Sequence, residues 1–398
     1  MKDLEKIICQ QAQEDHEYVV SLRRHFHRHA EVSKAEYRTA DKIEEELRKL
    51  NIETERVGET GIFAKITGQL TGDKTVMLRA DTDALPINES SDCPYASQNA
   101  NAMHACGHDS HTASLLGAAR ILAKNTDKFG GTVTLAFQQG EEVGYGGRLF
   151  VDGGYLNHTD RVIGLHVNPI FDCGTVAICE GPTYAAVDWF RITVNGKAAH
   201  VSTPEKGVDA LYIASQIVVA IQALITRLSS PMDNLLVGIG KLTAGETYNV
   251  VAANAVMEGT IRSFSPALRK QTKEKIEETA HSIASIYGGT VALEWQDNTS
   301  PLINDAAVTR EAQILAGRLF GQEHLITKVT PSLAGDDFAE YLLKVPGTYV
   351  QFGSRNPHRK ETALPLHNEK FDLDEDYMNY AVQFYCCYAI DYLNNDIE

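Results

Sequence analysis

Thr75-Val76-Met77-Leu78-Arg79-Ala80-Asp81 reads as a strand that stops on a carboxylate. Thr112 to Lys124 follows as a small-residue helix, Thr132 to Phe137 as a second strand and Arg161 to Val167 as a third. Upstream, residues from about 12 to 50 read as helical, with Ala40, Ile43, Leu47 and Leu50 recurring at helical spacing. Strands alternating with helices predict an α/β fold with a largely parallel central sheet. Such sheets bind ligands at the carboxyl ends of their strands. Asp81, the pair Glu141-Glu142 and His166 each follow an apolar run directly, so a site is expected there.

A second pattern begins near Asp188. Trp189–Val194, Leu235–Leu242, Ala255–Phe264 and Thr290–Trp295 read as strands, and Val208–Leu228 and Pro266–Tyr287 as helices. The order βαββαβ is a ferredoxin-like split unit. It predicts an inserted domain over 185–298, interrupting a first domain that covers 1–184 and resumes over 299–398.

The chemistry concentrates in His104-Ala105-Cys106-Gly107-His108-Asp109-Ser110-His111, which packs a thiol and three imidazoles into eight residues. Thiolate and imidazole are ligands that a borderline-soft divalent ion prefers. Gly107 frees the backbone between Cys106 and His108. A Cys–His nucleophile pair is the rival reading, but such pairs meet through the fold rather than through adjacent sequence. With Glu141-Glu142 and His166 downstream, the pattern reads as a metal-dependent hydrolase site assembled from several strand ends. Adjacent glutamates on an extended segment would point to opposite sides, one toward metal and one toward the reacting water.

The chain has 398 residues, a formal net charge of −16 and an apolar share of 43%. An acidic surface argues against nucleic-acid and anionic-membrane partners. No run of about 18 apolar residues is read as a membrane span, and no signal peptide precedes the charged start Met1-Lys2-Asp3. Seven cysteines at scattered spacing suggest reduced thiols and a cytoplasmic location. Cys386-Cys387 reads as core.

The chain resembles the M20 family of metallopeptidases and amidohydrolases, in the branch of hippurate hydrolases, auxin-conjugate hydrolases and N-acyl-amino-acid deacylases. The resemblance rests on Leu22–Arg28, Leu78–Pro86, Met103–His111, Gln139–Glu142, Gly164-Leu165-His166, Gly259–Arg262 and Leu366-His367. It implies a zinc-peptidase-like catalytic domain plus a lid and dimerisation domain. It implies two divalent ions (zinc, manganese, cobalt or nickel) held by Cys106, His108, Glu142, His166 and His367, with Asp81 orienting one of the His ligands. Glu141 would be the general base. His200 would contact the tetrahedral intermediate, in relatives usually from a neighbouring subunit. Asn249 and Arg262 would bind the substrate's polar groups, Arg262 gripping the α-carboxylate with its fork. His104 and His111 are expected in hydrogen-bonding duty and His25 at the surface. The branch's Ser-Glu-Asp-Phe is Gly335-Asp336-Asp337-Phe338 here.

The expected activity is hydrolysis of the amide of N-acyl-L-amino acids by metal-activated water, in a homodimer built through the lid. A metallo-dipeptidase with the same site is the enzymatic rival. A non-catalytic binding protein on the same fold would have lost ligands or base, and none is lost.

Overall fold

Helices α1 (Asp3–Glu14), α2 (His16–Arg28) and α3 (Tyr37–Lys49) open the chain in the computed structural model, which describes every residue except Pro231, Asp396 and Glu398. The helical stretch expected from residue 12 thus starts earlier and is broken around residues 29–36, where Lys34 takes a left-handed φ of 67°.

By its internal contacts the chain divides into a larger unit, Met1–Thr183, Ile303–Thr330 and Asp336–Glu398, and a smaller one, Tyr184–Leu302 and Pro331–Gly335. The larger unit holds strands β1 (Thr54–Val57), β2 (Gly61–Thr67), β3 (Leu70–Asp81), β4 (Gly130–Gln138), β5 (Arg161–Asp172) and β6 (Val176–Ala177). The smaller unit follows with β7 (Ala186–Asn195), β8 (Leu235–Ala244), β9 (Asn254–Ser263) and β10 (Thr290–Thr299), and the larger resumes with β11 (Leu325–Ile326) and β12 (Gly347–Arg355). The eight-stranded sheet of the larger unit has the order β1-β2-β4-β3-β5-β12-β6-β11. The four central strands β4, β3, β5 and β12 are mutually parallel, which makes the sheet mostly parallel at the place that matters for the site.

Parallel strands need covered faces. Helix α4 (His108–Lys124) supplies part of that cover and is buried along nearly its whole length; Ala113, Gly117, Ala118 and Ala119 keep it slim enough to pack closely. The last helix of the chain, Tyr377–Leu393, packs against α4 and β3, with Phe384, Tyr385, Cys386, Cys387 and Tyr388 all buried. Cys386-Cys387 is therefore core, and all seven thiols are free.

In the smaller unit the sheet runs β10-β7-β9-β8, all antiparallel, with helices α5 (Ala210–Leu228) and α6 (Pro266–Ile286) completing βαββαβ. Residues 331–335 group with it: the Ala185 N–H bonds to the carbonyls of Ser332 and Ala334. Asp209 caps α5 by accepting from the N–H groups of Leu211 and Tyr212, and Ser265 caps α6. Helix α5 departs from the expectation that no stretch is apolar enough to cross a bilayer. By length and composition alone it is, with a mean hydropathy of 1.6. Its buried side is Ala210, Ile213, Ala214, Ile217 and Ile221, spaced as one helical face against the sheet, while Leu211, Tyr212 and Val219 on the other side are exposed.

Candidate metal centre

Two glycines shape the turns that carry the candidate ligands. Gly107 takes φ +87° ahead of the first turn of α4. A Cβ there would lie 2.6 Å from Val167 Cγ2, so both conformation and space demand glycine. The turn sets Cys106 just before the helix and His108 on its first residue. Gly140, at φ +62°, turns the chain out of β4, and Glu36 accepts its N–H at 2.9 Å. Glu141 and Glu142 then lie in a single 3-10 turn, Glu141–Val143, rather than on the extended segment expected.

Donor atoms from the first turn of α4, the turn after β4, the middle of β5 and the segment around His367 converge. Cys106, Glu142 and His367 each place one donor within 4.8 Å of the others, and His108, Glu141 and Glu142 do the same. His166 Nε2 lies 3.5 Å from Cys106 Sγ. His367 Nε2 lies 3.5 Å from Glu142 Oε1, and His108 Nε2 lies 3.9 Å from that same oxygen. His108 Nε2 and Glu142 Oε1 are buried with no hydrogen-bond partner. Leaving such groups unpaired costs about 1–3 kcal/mol each. A thiol, three imidazoles and a carboxylate form a donor set that suits a divalent ion of intermediate softness. His367 is held in a left-handed backbone, φ 68°, by its N–H bond to the Ala105 carbonyl at 2.8 Å. A non-glycine residue there is strained, and such strain gathers at functional sites.

The supporting bonds fix which nitrogen faces inward. His166 Nδ1 donates to the Val167 carbonyl at 2.7 Å, leaving Nε2 toward Cys106. His108 Nδ1 donates to Asp83, to the carbonyl at 2.9 Å and to Oδ1 at 3.2 Å. Asp83 also accepts the N–H groups of Glu141 and Glu142, both at 3.1 Å, and the Ser33 hydroxyl at 2.6 Å. One carboxylate thus aligns a candidate ligand, the candidate base and a second candidate ligand. This role was expected of Asp81, and the correction is geometric. Asp81 Oδ1 holds His111 Nδ1 at 2.6 Å and stands 3.8 Å from His108 Nε2. His111 Nε2 accepts the Val167 N–H at 3.0 Å, so both nitrogens of His111 are spent and it is a strut. His104 is buried without a hydrogen bond on either nitrogen, and burial lowers its pKa to about 4. His25 is half-buried, its ring tilted at 38° against that of His29.

Beneath Glu141 sits a group that sequence reasoning passed over. Arg79 is fully buried; it bonds Gln138, Asp81 at 2.6 Å, Asp336 at 3.3 Å and Asp337 at 3.2 Å. Asp336 and Asp337 share a 4.8 Å cluster with Glu141. The signal was present as a charged residue inside an apolar strand, since arginine is almost never buried unless paired. Burial, with Asp336 and Glu142 nearby, pushes the Glu141 carboxyl well above the usual range. Burial raises Glu142 to about 7 and Asp337 to about 7. Burial opposes charge on His108, but Asp81 and Asp83 outweigh it and raise its pKa to about 10. The Cys106 thiol is pushed well up by burial and by Glu142.

His200, Asn249 and Arg262 lie in the smaller unit. His200 is exposed, its Nδ1 paired with the Ser202 hydroxyl at 2.7 Å, and it forms an isolated bridge with Val250. Asn249 accepts from the Thr247 hydroxyl at 3.3 Å. Arg262 projects from β9, half-buried, bonding only the Thr260 hydroxyl and the Leu333 carbonyl among the described residues, with no carboxylate in ion-pair reach. Burial pulls its pKa down.

The sequence model described as peptidase family M20/M25/M40 matches residues 77–391. The N-acetyl-L-cysteine deacetylase of Bacillus subtilis (strain 168) is 38% identical over 358 residues, 90% of this chain and 84% of that protein. Thermostable carboxypeptidase 2 of Saccharolobus solfataricus is 35% identical over 98% of this chain and all of its own length. Among solved structures, a Bacillus subtilis protein described as a dinuclear metal binding peptidase from the M20 family superposes with a TM-score of 0.83. It is 33% identical over 96% of this chain and 99% of that one.

Proposed function

The chain belongs to peptidase family M20/M25/M40 and is a metal-dependent hydrolase, and on that premise we propose that it cleaves the amide bond of N-acyl-L-amino acids. The observation that carries this reading is the convergence of unpartnered donors, His108 Nε2 and Glu142 Oε1, beside Glu141. Two divalent ions per chain would be held by Cys106, His108, Glu142, His166 and His367. When bound, they supply Lewis acidity toward the scissile carbonyl and lower the pKa of water.

The protein's own groups do the rest. Glu141 takes a proton from the attacking water and returns it to the leaving amine. Asp83 keeps Glu141 and His108 in register through the bonds described above. His200 stabilises the developing oxyanion, and Asn249 and Arg262 bind the amino-acid half of the substrate. The relative that deacetylates N-acetyl-L-cysteine supports the acyl-amino-acid reading. A peptidase reading is supported by the carboxypeptidase relative. A panel of N-acetyl amino acids, N-benzoyl amino acids and dipeptides separates them, offered to chelated enzyme refilled with manganese, zinc, cobalt or nickel. Turnover confined to dipeptides would overturn the first reading.

Arg262→Ala provides a test within the same panel. The lost charge-assisted fork is worth about 1.5–3 kcal/mol. The variant should therefore lose roughly 10–100-fold in kcat/KM on free-acid substrates while sparing their methyl esters. Equal loss on acid and ester would assign Arg262 to structure alone.

We also propose a homodimer formed through the smaller unit. Its edge strand β8 exposes Leu236 and Leu242, and α5 exposes Leu211, Tyr212 and Val219. A second copy related by a two-fold axis covers both at once. Sedimentation should give a dimer for the wild type and a monomer for Val219→Glu. Mixed Glu141→Gln and His200→Ala chains should regain activity on subunit exchange. Absence of recovery despite exchange would place His200 in its own chain's chemistry.

A further inference from the structure

Outside the centre described above, the larger unit brings together an imidazole, a carboxylate and a thiol from parts of the chain far apart in sequence. His27, near the end of α2, places Nε2 at 3.2 Å from Glu89 Oε1. Cys93 Sγ lies 3.7 Å from that same oxygen, and the Ser91 hydroxyl also bonds it and stands 3.3 Å from the thiol. One donor each from His27, Glu89 and Cys93 falls within 4.8 Å of the others. We propose that His27, Glu89 and Cys93 form a further binding site for a zinc-like divalent ion, with the Ser91 hydroxyl or water in the fourth position.

Three features fit a metal at this cluster, which without one is held by hydrogen bonds and the His27–Glu89 ion pair. First, ligand bonds of about 2.0 Å to nitrogen and oxygen and about 2.3 Å to sulfur put tetrahedral donors about 3.3 Å (N to O) and about 3.5 Å (S to O) apart. The observed 3.2 and 3.7 Å are those edges within a few tenths of an ångström. Second, two of the three donors, His27 and Glu89, are already aimed. His27 Nδ1 donates to Asp109 Oδ2 at 2.8 Å, the carboxylate–histidine arrangement that orients metal-binding imidazoles. Asp109 is itself pinned by Arg23 at 2.8 Å, and the second oxygen of Glu89 accepts the Ser97 N–H at 2.6 Å. Third, an ion has a way in. His27 and Glu89 are buried, whereas Cys93 is half-buried and lines a cavity of about 580 Å³ with Arg24, Tyr95 and Arg359.

The site would act on the segment that needs it. Residues 82–107 contain no helix and no regular strand, and they run directly into Cys106 and His108. A connection of that length is uncommon unless something organises it. A cation on Glu89 and Cys93 would clamp its middle to α2. The adjacent residues His108 and Asp109 face the two centres, His108 the first and Asp109 the second.

The test uses the full chain, stripped with chelator and titrated with cobalt(II). It reads bound metal per chain and the thiolate-to-cobalt charge-transfer band. Wild type should take up one ion per chain more than Cys93→Ser, and Glu89→Gln should match Cys93→Ser. Cys106→Ala should keep a charge-transfer band that the double variant with Cys93→Ser lacks, which separates this site from the fate of the Cys106 centre. Equal metal uptake by wild type and Cys93→Ser, or no residual band in Cys106→Ala, would overturn the proposal.

Discussion

Glu141→Gln keeps its metal ions and loses turnover by about 10²–10⁴-fold, the usual cost of removing a general base. That range corresponds to about 2.7–5.5 kcal/mol of barrier. The amide is nearly isosteric with the carboxyl, and the backbone bond from the Glu141 N–H to Asp83 survives the change. Glu142 and His108 keep their positions through their bonds to Asp83, and His367 through its bond to the Ala105 carbonyl. The loss should therefore fall on kcat, with metal content unchanged. A variant that retains more than about a tenth of wild-type kcat at full metal loading would remove Glu141 from the base role.

Cys106→Ala should abolish activity and lower metal occupancy. The thiol is buried and its pKa lies well above the usual range, so the protein without metal keeps it neutral. Only a cation at this position makes the thiolate the stable form. Even the groups behind a metal ligand change affinity or activity by about 10–100-fold. Losing the ligand itself should cost at least the upper end of that range. Metal analysis and kcat/KM measured on one preparation check this. Normal turnover with unchanged metal content would make Cys106 a packing residue.

The outline of the candidate site could be read in the chain because its parts follow apolar runs. Asp81 ends β3 and Glu141-Glu142 follow β4, and the parallel sheet brings them beside His166, which lies midway along β5 because that strand runs on to Asp172 rather than stopping near Val167. What could not be read was division of labour among like residues. Asp81 and Asp83 are two apart and chemically identical; only the three-dimensional path decides that Asp83 meets His108 and Asp81 meets His111. His111 shares its motif with His108, yet a single backbone N–H, that of Val167, takes its free nitrogen. The 3-10 turn at Glu141–Val143 escaped notice because Gly140 permits a left-handed step without demanding one. In the smaller unit the strand and helix periods stood out, since each element buries one face only. Arg79 was absorbed into an apolar strand because its partners, Asp336 and Asp337, come from the far end of the chain. Removing one partner from such a buried network costs about 3–5 kcal/mol.

That network has a consequence for charge balance. Asp81, Asp83, Glu141, Glu142, Asp336 and Asp337 crowd around one fixed guanidinium and one protonatable imidazole. The folded chain is built in anionic deficit, and without cations it can settle the difference only by holding protons. Glu141, pushed well above the usual range, and Glu142 and Asp337, both raised to about 7, are the carboxyls that hold those protons. A carboxyl with a raised folded pKa stabilises the fold below its unfolded pKa and loses that contribution as pH rises through the folded value. Stripped protein should therefore weaken between about pH 4.5 and about pH 7, whereas metal-loaded protein should not. The gap between their melting temperatures should widen across that window. Bound divalent cations would then be the counter-charge for these carboxylates, and their uptake a proton-for-cation exchange that calorimetry in buffers of different ionisation enthalpy would count directly.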